Sequence, residues 1–225
     1  MNWQQLVARL KQETTRIGPA PASPDSSARD DLSLWNWISD AWVSLQTDGK
    51  NWRFARTTCS FSTTATVADY DYADMGLDGN FQRLWPCNDY YRPRAADAST
   101  NWALSRELSY DEFGATFLPG MAAGAPRAYT VTPDRKLRIG PTPDAAYIIT
   151  IDVVRPVQRF AEPGDEPTGL PEEHQLVLVW EALKHAAIDD AAPELLAKAN
   201  DKHKADYARL FLQEGDGFGL HRRSL

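Results

Sequence analysis

The sequence predicts an α+β protein in which an antiparallel helical bundle, built from the N- and C-terminal segments, carries a β-rich domain inserted between them. Three observations lead there. Apolar residues recur at helical spacing up to about residue 50 and again from residue 170. The stretch between runs in short pieces rich in Thr, Tyr, Phe, Trp and β-branched residues. Within it, Lys136–Pro156 carries the clearest hairpin signal in the chain, two alternating apolar runs around Gly140-Pro141-Thr142-Pro143-Asp144. The divisions that follow are residues 1–50 and 170–213 for the bundle, 51–169 for the inserted domain and 214–225 for a flexible C-terminal tail.

From Asn2 to Ile17, Trp3, Leu6, Val7 and Leu10 share a helical face, and Gly18-Pro19 ends the helix. A Pro/Ser/Ala/Asp connector follows. Asp30 or Asp31 is placed to cap a second helix with the stripe Leu34, Trp35, Ile38, Ala41, Trp42 and Leu45. Trp37 lies off that stripe, in position for a second-face contact or a contact between subunits. Trp52-Arg53-Phe54 reads as the first strand and Thr57–Val67 as the next, with Cys59 and Phe61 on one face. Ala68–Asn80 is an acidic loop that holds Tyr70 and Tyr72. Phe81–Tyr91, Trp102–Leu108 and Arg127–Thr132 are strand-like, and Ser109 caps a short helix through Thr116. In the hairpin, Tyr147, Ile149, Ile151 and Val153 share a face of the second strand.

After a Pro/Gly/acid linker, Leu170-Pro171-Glu172-Glu173 begins a helix with its acids at the positive end of the dipole. Leu176, Val177, Val179, Trp180, Leu183, Ala186 and Ala187 give it a face broad enough for burial on more than one side, which predicts a central helix. A tight junction at Asp189–Glu194 returns the last helix against it through Leu195, Leu196, Ala199, Tyr207, Leu210 and Phe211.

Composition narrows the function classes. With 225 residues and 43 % hydrophobic content the chain can bury a sizeable core. A formal charge of −7 argues against a dedicated binder of nucleic acid or anionic membrane. No apolar run reaches the ~20 residues of a bilayer span, and Met1-Asn2-Trp3-Gln4-Gln5 lacks a secretory pattern. Cys59 and Cys87 are read as buried thiols, since two cysteines at this spacing make neither a disulfide framework nor a metal motif. Eight Trp, eight Tyr and eight Phe are a heavy aromatic load and a first hint of assembly.

Templates for chemistry fail. Gly-x-Ser-x-Gly, a phosphate loop, a dinucleotide fingerprint and His-Glu-x-x-His are all missing, so the sequence predicts no enzyme, no catalytic residues and no cofactor. Asp69, Asp71, Asp74 and Asp78 lack calcium-loop spacing with a closing Glu and read as a solvated loop. His174 and His185 are eleven residues apart on similar faces, with His203 able to approach one of them. Without a further ligand they read as surface or interface histidines, not as a metal site. Trp85, Tyr90, Tyr91, Trp102, Tyr110 and Tyr129 could form stacking platforms for sugar rings or bases, which keeps open a carbohydrate- or cell-wall-binding module.

Several pieces in their order resemble the head-to-tail adaptor proteins of tailed bacteriophages, also called connector or head-completion proteins. They are the opening amphipathic helix; the Trp-rich second helix with Trp42-Val43-Ser44-Leu45-Gln46 leading to Asn51-Trp52-Arg53-Phe54; and the run Lys136–Tyr147. The final pair, Leu170-Pro171-Glu172-Glu173-His174 and Ala192-Pro193-Glu194-Leu195-Leu196-Ala197-Lys198-Ala199, completes the likeness. Residues 70–101 match nothing in it. The resemblance implies a virion structural protein at the head-tail junction, made in the host bacterial cytoplasm. It implies a homo-oligomeric ring of about twelve copies beneath the portal protein, joined below to a downstream tail or nozzle protein and touching no membrane. Double-stranded DNA passes through the lumen without sequence-specific binding, as a net acidic wall favours. It also implies that the C-terminal segment docks on the portal, with Phe218 and Leu220 as apolar anchors and His221, Arg222 and Arg223 as polar contacts. Trp37, Tyr70 and Tyr72 become candidates for subunit or tail interfaces.

Overall fold

The computed structural model describes residues 1–14, 22–25, 29–48, 50–71, 73–76, 83–84, 93–97, 99–104, 107–117 and 121–215. The chain is mixed α+β, and its contacts divide it into two compact units: Met1–Ala55 with Val157–Leu225, and Arg56–Pro156.

The first unit contains α1 (Trp3–Glu13), α2 (Arg29–Thr47), α4 (Leu176–Asp189) and α5 (Pro193–Glu214). Asn2 and Gln5 cap α1 reciprocally, each side chain accepting the other's backbone N–H at 2.9 Å. The backbone N–H groups of Trp3 and Gln4 donate to the carbonyls of Asp165 and Pro163, so the linker after the β region closes this helix end. Thr14 turns extended and its hydroxyl donates to the Lys11 carbonyl, so α1 stops at Glu13, short of the expected Ile17. Helix α2 starts at Arg29, which puts Asp30 and Asp31 inside its first turn instead of at the cap. Asp31 pairs with buried Lys11 at 2.7 Å. The predicted stripe holds: Leu34, Trp35, Ile38, Ala41, Trp42 and Leu45 are all buried.

A row of rings runs through this unit. Trp3 meets Trp35 edge-on at 4.7 Å and stacks on Phe160 at 5.4 Å. Phe160 stacks on Trp42, Trp42 meets Phe54 at 5.8 Å, and Phe54 stacks on Trp52 at 5.7 Å. Each such pair adds roughly 0.5–1.5 kcal/mol beyond area burial. Trp52-Arg53-Phe54 is therefore not a strand. Arg53–Ala55 is a 3₁₀ turn that drives Trp52 and Phe54 into the helical core, giving the same in-out-in pattern as an alternating strand. A matched pair of bonds to one side-chain amide joins α2 to the returning chain within this unit: Gln46 Nε2 donates to the Gln158 carbonyl and Gln158 N–H donates to Gln46 Oε1.

Helix α4 packs against α1, α2 and α5, as its broad apolar face requires. The chain reaches it through a 3₁₀ turn, Glu172–His174, because His174 turns inward to meet Gln213 instead of continuing an α-helix from Pro171. Glu181 meets His203, Trp180 meets Asp206 and His174 meets Gln213, so α4 and α5 run antiparallel. Ala199 and Leu210 anchor α5, while Phe211 stays 38 % exposed.

The second unit holds β1 (Arg56–Ser62), β2 (Asp69–Tyr70), β3 (Arg83–Leu84), β4 (Arg94–Ala96), β5 (Asn101–Ala103), α3 (Tyr110–Thr116), β6 (Ala128–Val131), β7 (Leu137–Gly140) and β8 (Ile148–Val154). Both sheets are antiparallel. One has the order β1-β8-β4-β5 with β3 also on β8; the other has the order β2-β7-β6. The Lys136–Pro156 hairpin does not form. β7 is enclosed by β6 and β2, and β8 by β1 on one side and β4 and β3 on the other, so neither has an edge left for the other. The turn-like sequence between them carries the chain from one sheet to the next. Its backbone is held by the end of β1, with Thr63 N–H on the Tyr147 carbonyl and Thr66 N–H on that of Pro143. β1 ends at Ser62, before the expected Val67, where a turn at Thr64–Val67 reverses the chain. Cys59, Phe61, Ile149, Ile151 and Val153 enter one core with Leu137 and Ile139 from the other sheet. Cys59 is the buried thiol expected, its titration pushed up to about 11 by burial and then by the Asp152 charge; Cys87 lies outside the described residues.

Candidate functional site

Among the described residues no group of three or more His, Cys, Asp or Glu could hold a metal ion, and no helix is long and apolar enough to cross a membrane. Asp69, Asp71, Asp74, His174 and His203, singled out in the sequence, have structural partners, while Asp78 lies outside the described residues. Asp69 receives two guanidinium bonds from Arg138, at 2.5 and 2.6 Å, which hold its carboxyl below the usual range. Asp71 and Asp74 each accept the other's backbone N–H. His174 is buried against Gln213, His185 is exposed, and His203 Nε2 lies 3.0 Å from Glu181. The histidines do not converge, and His174 is a core residue, contrary to the surface expectation.

The aromatic residues considered for a stacking platform also separate. Tyr129 is fully buried, Trp102 donates to the Pro126 carbonyl, and Tyr110 is 44 % exposed with the Arg138 guanidinium over its ring. Trp85, Tyr90 and Tyr91 lie outside the described residues.

Of the interface candidates, Trp37 is half-buried against the helical core. Tyr70 is only 3 % exposed. Its hydroxyl donates to the Val67 carbonyl and its ring meets Phe61, so within this chain it serves the β core instead of the surface. Tyr72, Phe218, Leu220, His221, Arg222 and Arg223 lie outside the described residues.

Two depressions are lined by described residues. In the β unit, α3 lies over the end of β7 and leaves a cleft of about 550 Å³, lined among others by Tyr110, Phe113, Phe117, Met121 and Ile139. Ser109 and Glu112 form a capping box that fixes the start of α3. Gly140 is required beneath the helix, because a Cβ there would lie 2.6 Å from Phe113 and 2.7 Å from Phe117. Met121 is 57 % exposed beside the cleft. This surface was not legible in the sequence, since it depends on the pairing of β2 with β7 and on the placement of a short helix.

In the helical unit, α2, α4 and α5 enclose a cavity of about 250 Å³. Its floor is Ala41, Leu45, Val177 and Leu178, and its rim is Ser44, Asp48, Glu181, His203 and Tyr207. Tyr207 donates to Asp48 at 2.6 Å and stacks on His203 at 5.5 Å. Burial and the Asp48 carboxylate raise the Tyr207 phenol, while the His203 bond and then Lys184 hold Glu181 at about 2. Just beyond the cavity, Trp52 Nε1 donates to Asp48 at 3.0 Å, and the Trp52 backbone bridges Gly215, the last described residue.

Comparison with known families matches residues 1–221 to one described as SU10 adaptor protein. No curated protein matches the chain.

Proposed function

The chain belongs to the SU10 adaptor protein family, and from that premise we propose that it is a structural component of a phage virion, an adaptor joining the head to the tail and carrying out no catalysis. The observation that carries this reading is a family match that runs through both structural units and into the C-terminal segment.

In this reading the helices form a bundle that carries the β region as an insertion, and copies of the chain close into a ring of about twelve beneath the portal. DNA passes through the lumen, and the net charge of −7 supports a wall that releases DNA instead of retaining it. Residues 216–225 reach the portal through Phe218 and Leu220, with His221, Arg222 and Arg223 as polar contacts, and the β unit meets the next tail component. Support for a directed tail comes from its point of departure. The Trp52 bridge and the Arg53 bond to the Gln213 carbonyl fix the helix end, and a Cβ at Gly215 would run into the Phe211 carbonyl. Trp37, half-buried against the helical core, adds a contact between copies in this reading.

Native mass measurement of the purified chain, alone and mixed with its portal ring, tests this. The expected result is a stoichiometric assembly on the portal that is lost with Phe218→Ala and Leu220→Ala together. A chain that ignores the portal and is retained by polysaccharide would replace the adaptor reading with that of a glycan-binding tail module.

A further inference from the structure

We propose that copies of the chain join edge to edge, with β5 of one copy adding antiparallel to the free side of β1 of the next, so that the larger sheet runs on from copy to copy. The proposal rests on the reading of the chain as a ring-forming subunit, and adds which surface closes the ring.

Three observations bring the two strands together. The first is that both edges are open. The larger sheet has the order β1-β8-β4-β5, and among the described residues β1 pairs only with β8 and β5 only with β4. Thr63 N–H donates to the Tyr147 carbonyl and Leu104 N–H to that of Pro93, and backbone direction alternates along each strand from these pairs. The N–H and C=O groups of Thr58, Ser60 and Ser62 in β1, and of Asn101 and Ala103 in β5, therefore point away from the sheet. All five residues are exposed. The Thr58 hydroxyl donates to Asp152 and the Ser60 hydroxyl meets that of Thr150, so these side chains lie over β8 instead of across the edge. Neither Thr57–Ser62 nor Asn101–Ala103 holds a charge or a proline, the usual guards of an exposed edge.

The second is direction and pleat. Every neighbouring pair in this sheet is antiparallel, so β5 runs opposite to β1. A next copy in the same orientation therefore presents its β1 antiparallel to β5, as a head-to-tail contact requires. The pleats agree as well. On both strands the residues with free backbone groups are the solvent-facing ones, so pairing keeps the exposed side chains on one face and sets Trp102 beside Phe61 on the core face.

The third is register. Ser62, Ile148, Ala96 and Asn101 form one row across the sheet, and Ser60, Thr150, Arg94 and Ala103 form the row beside it. Setting Asn101 opposite Ser62 of the next copy, and Ala103 opposite its Ser60, continues both rows level. Each of these pairs then exchanges both of its backbone hydrogen bonds. A slip of two residues would offset every copy by about 7 Å along the strands, building a spiral in place of a closed ring.

Disulfide trapping in the full-length chain tests the contact. Ser62→Cys and Asn101→Cys are combined in one chain, with Cys87→Ser to remove a competing thiol. Cys59 is retained because it is buried and its thiol resists ionisation. Within one copy the two sites lie across β8 and β4, about 14 Å apart, too far for a disulfide, so every bond between them links two copies. Ser62→Cys with Ala103→Cys, out of register by two residues, is the control pair. Under mild oxidation at high protein concentration, with and without the portal ring, the first pair is expected to yield a ladder of linked copies at least tenfold faster than the control pair. Equal rates in both conditions overturn the proposal. Rapid dimer formation by Ser62→Cys alone also overturns it, since β1 would then pair with itself about a two-fold axis. Native mass with the portal present decides the adaptor reading separately. Assembly on the portal without the ladder overturns only the edge contact, and a ladder from a chain that ignores the portal overturns only the adaptor reading.

Discussion

The helical unit closes around a row of aromatic rings, and the indoles of Trp3, Trp42, Trp52 and Trp180 each donate to an acceptor. The β unit closes instead around side chains from two sheets, with ion pairs such as Arg56–Asp152 and Arg138–Asp69 spanning neighbouring strands. Helical order is set by residues three or four apart, whereas β8, which joins three other strands of its sheet, and β2, which rests on β7, depend on partners tens of residues away. The contrast predicts that damage to the first unit is chiefly loss of ring packing, and damage to the second chiefly loss of fit between elements.

The largest effect is expected from Trp42→Ala, which removes contacts to Phe54 and Phe160 and the donor to Gln158. A loss of about 3–5 kcal/mol in urea unfolding is expected; less than ~1 kcal/mol would show that the ring row is not what holds the helices. Gly140→Ala addresses the β unit by overpacking, since its Cβ collides with Phe113 and Phe117. A cost of about 1–3 kcal/mol is expected, with hydrogen exchange rising in β6 and β7 while α1 and α2 keep their protection. Combining it with Phe113→Leu should recover part of the loss.

Acid should distinguish the units further. Glu181 is held at about 2, below an ordinary glutamate, so its contribution is complete above the unfolded value near 4.3 and disappears as pH falls from there through about 2. Glu181→Gln is expected to cost on the order of 1–2 kcal/mol at neutral pH and to flatten stability between about pH 4 and 2. Asp69→Asn is expected to cost less than about 1 kcal/mol, and less again in high salt, because the Arg138 pair is about a third exposed. The sign is the same: Asp69 titrates below its usual range, so the pair weakens only as pH drops below that range.

The same contrast explains what could be read from the sequence. The stripe of α2, the broad face of α4 and the return of α5 follow from local period, and each buried residue expected in α2 is buried. Ser109 identified α3 because its cap partner is only three residues away. The β unit resisted where strand partners are remote. Lys136–Pro156 has the composition of a hairpin, but β6, β2 and β1 had already claimed the free edges. Trp52–Phe54 misled because three residues fit a strand and a 3₁₀ turn equally well. The clasp of Gln46 with Gln158 left no sequence signal, since glutamines 112 residues apart carry no period. The two cavities were also illegible, because each is formed by faces from three separate segments.

The register of β1 with β8 has a mechanical meaning. The chain passes into the β unit at Arg56, which lies opposite Val154, the last residue of β8, at one end of a seven-pair ladder. Pulling the two crossings apart therefore loads the ladder like a zip, one rung at a time from that end. Pulling β1 and β8 past each other along their length loads every rung together in shear. The Arg56–Asp152 pair spans the first rungs, where peeling would begin, so the ladder is reinforced against the weaker of its two directions of load.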